Sequence, residues 1–100
     1  MAAVELKKVS DEAFSIKGVL MMHTVMSILN ELSNCLDTQT DISIDFSEVE
    51  NSDSAAVALI IAWLAKAKQQ NIKVHLLHLP QQILDIAKAS DLLEILPINQ

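Results

Sequence analysis

Asp45-Phe46-Ser47-Glu48-Val49-Glu50-Asn51-Ser52-Asp53-Ser54-Ala55-Ala56-Val57-Ala58-Leu59-Ile60 is the stretch on which the fold turns. Just before it Ile42 and Ile44, and at its start Phe46, alternate with Ser43 and Asp45, the two-residue period of a strand with one buried face. Glu48 to Asn51 reads as a loop. From Ser52 the chain runs into an apolar segment that continues through Trp63 to Gln70 and reads as the central helix. Ala55 to Ile61 is apolar on every side, which predicts a helix wedged between a sheet and a neighbouring helix, with alanines permitting the close approach. Lys66 and Lys68 suit the partial negative charge at its end, and Asn71 caps it.

Working outward, Val4, Leu6 and Val9 predict a first strand, and Ser10-Asp11-Glu12 turns it into a second over Ala13 to Val19. Phe14, Ile16 and Gly18 share one face of that second run, Ser15 and Lys17 the other. From Thr24 the period changes: Val25, Ile28, Leu29, Leu32, Cys35 and Leu36 form one helical stripe, which the cluster Asp37-Thr38-Gln39-Thr40 ends. Lys73 to Leu79 is a fourth strand, and Pro80 opens a last helix near Gln81 with Ile83, Ile86 and Ala87 on its apolar face. Asp91 to Leu96 adds a helical turn that Pro97 closes. The order is ββαβαβα, an α/β chain whose mixed sheet has right-handed parallel crossovers.

One hundred residues at 51% hydrophobic, without a linker or repeat, predict a single domain over residues 1–100. A chain of this size buries roughly two-thirds of its unfolded surface, so its apolar side chains go to the core and a deep active-site cavity is not expected. The longest apolar run, Ala55 to Ala65, is eleven residues, against about 20 for a membrane span. Met1 to Lys8 do not form a secretory leader, and the expected compartment is cytoplasmic. Thirteen acids oppose seven lysines with no arginine, a net charge of −6 that disfavours nucleic acid. The lone Cys35 makes neither a disulfide nor a CxxC motif and reads as a buried apolar residue. A single glycine excludes a Gly-rich phosphate cradle, and no serine sits in a GxSxG elbow. His75 and His78, three apart on a strand, are expected on opposite faces and His23 near a helix start, so no metal set forms. The chain is expected to need no cofactor and not to be an enzyme.

What remains is Ser52-Asp53-Ser54-Ala55-Ala56, two hydroxyls and a carboxylate where the most apolar helix begins. The first N–H groups of a helix have no internal partner, and Ser52, Asp53 or Ser54 can each cap them for about 1 kcal/mol. For Asp53 capping is the stronger reading. The same residues also present a hydroxyl among small neighbours, where another protein can approach closely.

These residues resemble the signature of the STAS domain, in which a strand ending in Asp-Leu-Ser leads through Val to Asp-Ser/Thr and a pair of small residues. The resemblance extends to the opening hairpin, the first amphipathic helix, Ala67-Lys68 before Asn71, and Ile86-Ala87-Lys88 with Leu92-Leu93. The aliphatic run after Ser54, the Ala-Lys pair and the terminal Leu-Pro are similar to the MlaB-like branch, small cytoplasmic subunits of bacterial ABC systems that move phospholipid and maintain outer-membrane asymmetry. The resemblance implies a four- to five-stranded mixed sheet packed with helices, and an adaptor that grips an ABC transporter ATPase subunit through Asp53, Ser54, Ala55 and Ala56, with Ser52 beside them. It places the chain at the inner membrane through its partner, without direct insertion. Ser54 stands where anti-sigma factor antagonists are phosphorylated, so the alternative is such an antagonist, with an anti-sigma factor or serine kinase as partner. Ala56 stands where the family often has Gly.

Overall fold

The computed structural model describes residues 3–34 and 40–99. The hairpin is present as β1 (Val4–Ser10) and β2 (Ala13–Leu20), antiparallel through the turn at Asp11 and Glu12. Then follow α1 (Val25–Asn34), β3 (Asp41–Ser52), α2 (Ser54–Gln69), β4 (Lys73–Leu77), α3 (Gln81–Ala89), a short 3-10 turn at Leu93–Ile95 and β5 (Ile98–Asn99). Cys35, Leu36 and the cluster read as ending α1 lie outside the described residues, apart from Thr40.

The five strands lie in chain order, β1-β2-β3-β4-β5, and all pairings after the hairpin are parallel. Each parallel connection therefore steps the same way, and the common right hand of such crossovers puts α1, α2 and α3 on one face. There α1 packs on α2, and α2 on α3. The alternation of β3 follows from this: Ile42, Ile44 and Phe46 are buried under the helices, while Asp41, Ser43 and Asp45 are half-buried on the other face. The expected mixed sheet and ββαβαβα order hold, with β5 added at the end.

Several details differ from the sequence reading. The expected loop at Glu48 to Asn51 is strand: β3 continues to Ser52 alongside β2, with irregularities opposite Ser15/Lys17 and Gly18/Val19. Each shifts the side-chain alternation, which is why Ser47 to Asn51 carries no strand period. β4 ends at Leu77, because His78 takes a left-handed backbone (φ 56°). Nor is the first half of α2 enclosed all round, since Ser54, Ala58 and Ala62 are exposed along one side.

The ends of α2 and α3 use the same closing geometry. At the end of α2, Asn71 (φ 59°) donates its N–H to Lys68 O, and the buried Ile72 donates to Ala67 O at 2.9 Å. At the end of α3, Asp91 (φ 57°) and Leu92 repeat it on Lys88 O and Ala87 O. Asn and Asp tolerate the left-handed backbone that glycine usually supplies, so α2 and α3 are closed without glycine. The lone Gly18 (φ 108°) is required elsewhere, because a Cβ there would run into the Ala3 carbonyl oxygen.

Candidate functional site

Where β3 ends and α2 begins, the five singled-out residues divide by burial. Ser52 is buried, and its N–H and hydroxyl both donate to Gln82 Oε1, at 3.1 and 3.2 Å. Gln82 in turn donates to Asn51 Oδ1 at 3.4 Å, so Ser52 ties the end of β3 to the first turn of α3. Ala56 is completely buried in the core. Asp53 and Ala55 are half-buried, and Ser54 is exposed.

Asp53 is the cap. It sits in extended backbone (φ −136°) ahead of the helix, and its Oδ1 accepts the Ala55 N–H at 2.8 Å. Its Oδ2 accepts the Met22 N–H at 3.2 Å, joining the turn after β2 to the start of α2. Both carboxylate oxygens are therefore engaged within the chain. Ser54, the first helical residue, has no side-chain hydrogen bond to the described residues, and its hydroxyl is free for an outside partner.

Two surface features were not found by sequence reasoning. Met22 and Met26 are 76% and 70% exposed, large apolar side chains at the turn that Asp53 holds and on the adjoining first turn of α1. Their signal was available: Met26 lies off the Val25, Ile28, Leu32 stripe, where a solvated helix face would carry a polar residue. Ser54 also heads an open groove of about 420 Å³ between α2 and α3, lined by Val57, Ala58, Ile61, Ala62, Ile86, Ser90 and Leu92. The exposed Ser54 hydroxyl thus stands at the head of an apolar groove, with two exposed methionines elsewhere on the surface.

The histidines depart from expectation. His75 Nε2 lies 3.1 Å from Asp41 Oδ1, and His78 Nδ1 lies 3.1 Å from Asp45 Oδ1. Asp41 and Asp45 are four apart on β3, so both imidazoles reach the same helix-free face. The reversal at His78 brings it there, where a continuing strand would have turned it away. Burial raises the Asp45 pKa, but hydrogen bonds from the Ser47 N–H and from His78 outweigh it and hold the carboxyl below its ordinary value. Among the described residues no group of three or more His, Cys, Asp or Glu is placed to hold a metal ion. No helix among them is long and apolar enough to cross a membrane.

A family model described as "Mlab, STAS domain" matches residues 6–97. Among solved structures, the anti-sigma factor antagonist SpoIIAA in its unphosphorylated form is similar at 21% identity and a TM-score of 0.73, over 97% of this chain and 88% of that one. The Bacillus cell fate determinant SpoIIAA in its phosphorylated form is also 21% identical, with a TM-score of 0.70 over 97% and 91%. An anti-sigma factor antagonist from Mycobacterium paratuberculosis is 15% identical, with a TM-score of 0.78 over 98% and 85%. At these identities the likeness is one of fold. No curated protein matches by sequence.

Proposed function

Because the chain belongs to the STAS domain family, in its Mlab branch, over residues 6–97, we propose that it is a non-enzymatic accessory subunit that binds the ATPase of a phospholipid-transporting ABC complex maintaining outer-membrane lipid asymmetry. Family membership supports the class of partner. The observation that carries the site is the Ser54 hydroxyl, exposed and uncommitted next to an Asp53 whose carboxylate is fully engaged. Asp53 fixes the geometry and Ser54 makes the contact. Ser52 and Ala56 act from beneath, one anchoring α3 and the other seating α2, while Ala55 and Ala58 leave room for close approach. Met22, Met26 and the α2–α3 groove supply apolar area. In the cell the chain sits in the cytoplasm, held against the inner membrane by its partner.

A hydroxyl buried by the partner and paired across the interface contributes about 1–3 kcal/mol when its loss leaves the other group unsatisfied. A bulky charged side chain at Ser54 does more, since it holds the surfaces apart. The test is capture of the transporter ATPase by tagged protein. Ser54→Arg is expected to abolish capture while its circular dichroism stays native, and retained capture overturns the site.

The free hydroxyl also favours a second reading, an anti-sigma factor antagonist switched by a serine kinase. Phosphate on Ser54 would sit at the positive end of the α2 dipole, yet about −2 of charge beside Asp53 opposes burial in an interface. Such a switch would release the partner without unfolding the chain. Intact mass after incubation with a cognate kinase and ATP separates the readings: one phosphate added to wild type and none to Ser54→Ala selects the switch.

A further inference from the structure

The sheet is open along part of its β4 edge. β4 spans Lys73–Leu77, but β5 lies beside only Leu76 and Leu77. Leu76 donates its N–H outward to Pro97 O at 3.0 Å, whereas Lys73 donates inward to Thr40 O at 3.0 Å. Alternate residues of a strand turn their backbone groups to the same edge, so the N–H and C=O of Val74 point outward with those of Leu76. Continued one step back, the parallel ladder would have residue 97 donate to the Val74 carbonyl and residue 95 accept from its N–H. Pro97 has no N–H, and Ile95 lies in the 3-10 turn that carries the chain away. Val74 is only 9% exposed, yet its two edge-facing groups meet a cleft where a strand would be.

That cleft, about 450 Å³, is lined by Ile72, Val74, Ile95 and Pro97, with Lys68 and Lys73 beside them. Ile95 is 59% exposed, which leaves apolar surface uncovered. Neither lysine has an ion-pair partner among the described residues, on a chain whose net charge is −6.

We propose that this edge takes up an extended peptide segment of another protein as an added strand, with an apolar residue in the cleft and acidic residues against Lys68 and Lys73. The occupant follows from what the edge lacks. An enclosed backbone donor and acceptor on one residue are both satisfied by a peptide backbone, whereas a hydrocarbon chain would leave them unpaired. Two unpaired lysines select carboxylates, and the strand period alternates them with the apolar residue. The proposal is independent of the Ser54 reading, because Ser54 opens α2 and Lys68 lies near its far end, about 21 Å along the helix.

The probe is a blocked, fluorescein-labelled Asp-Val-Glu-Ile-Asp-Val peptide titrated into the 15N-labelled full chain. Shift changes are expected to centre on Val74, Lys73 and Ile95, with slowed hydrogen exchange at the Val74 amide. The Lys68→Glu/Lys73→Glu double variant should weaken binding by about tenfold or more in fluorescence anisotropy. Ser54→Arg should bind as wild type, and a peptide with Lys in place of each acid should not bind. Shift changes absent or centred elsewhere, or binding indifferent to either charge reversal, overturn the proposal. Sedimentation equilibrium showing a dimer that protects the Val74 amide without peptide also overturns it, by assigning the edge to a second copy.

Discussion

Asp53 commits one oxygen to the Ala55 N–H in its own helix and the other to the Met22 N–H after β2, 31 residues earlier in the chain. Asp53→Ala removes both bonds and should cost about 1–2 kcal/mol in urea unfolding. Asp53→Asn retains one acceptor oxygen and should fall between the two. Ser54 is adjacent but contributes no such bond, so Ser54→Ala should stay within about 0.5 kcal/mol of wild type. Equal losses from Asp53→Ala and Ser54→Ala would mean that the two residues do not divide the work of folding and contact. Sequence alone identified the acceptors at this helix start, because orphaned N–H groups there demand them. Capping was already the stronger reading for Asp53, but separating Ser52 from Ser54 needed the backbone, which turns Ser52 inward to Gln82 and Ser54 outward. The Met22 bond depends on how the turn after β2 folds back, and no local pattern encodes that.

Between elements, the joint of α1 and α2 rests on Trp63, 2% exposed, whose Nε1–H donates to Leu32 O at 2.6 Å. Leu32 lies near the end of the described part of α1, so this bond from the indole of α2 fastens the two helices to each other through a main-chain carbonyl. Trp63→Phe removes this buried hydrogen bond and should cost about 1 kcal/mol, followed by circular dichroism because the chain has no other tryptophan. A loss within error would show that the indole bond does not hold the two helices together. The helices themselves were legible, since Val25, Ile28 and Leu32 or Ile83 and Ala87 recur at helical spacing and are buried. The second half of β3 was not, because its irregularities against β2 break the period that identifies a strand. β5, with two residues and a proline before it, is too short to carry a period at all.

At the scale of the molecule, a sheet covered on one face places its stability unevenly. β3 has strands on both sides and helices above, with Ile42 fully enclosed. β1 is an outer strand with a register irregularity between Lys8 and Ser10 and an exposed Val9. Amides in β3 from Ile42 to Phe46 can exchange only when neighbouring strands separate, whereas the outer strand can open alone. Native-state hydrogen exchange by NMR should therefore give the highest opening free energies in β3 and distinctly lower ones in β1. Val74 is the sharper case. Lys73 donates into the sheet, but the Val74 amide faces the cleft, so in the free protein it should exchange faster than its flanking residues although it is more enclosed than Lys73. Equal protection across β1 and β3 would mean that the sheet opens only as a whole. A Val74 amide protected as well as its neighbours would mean that the edge is already paired.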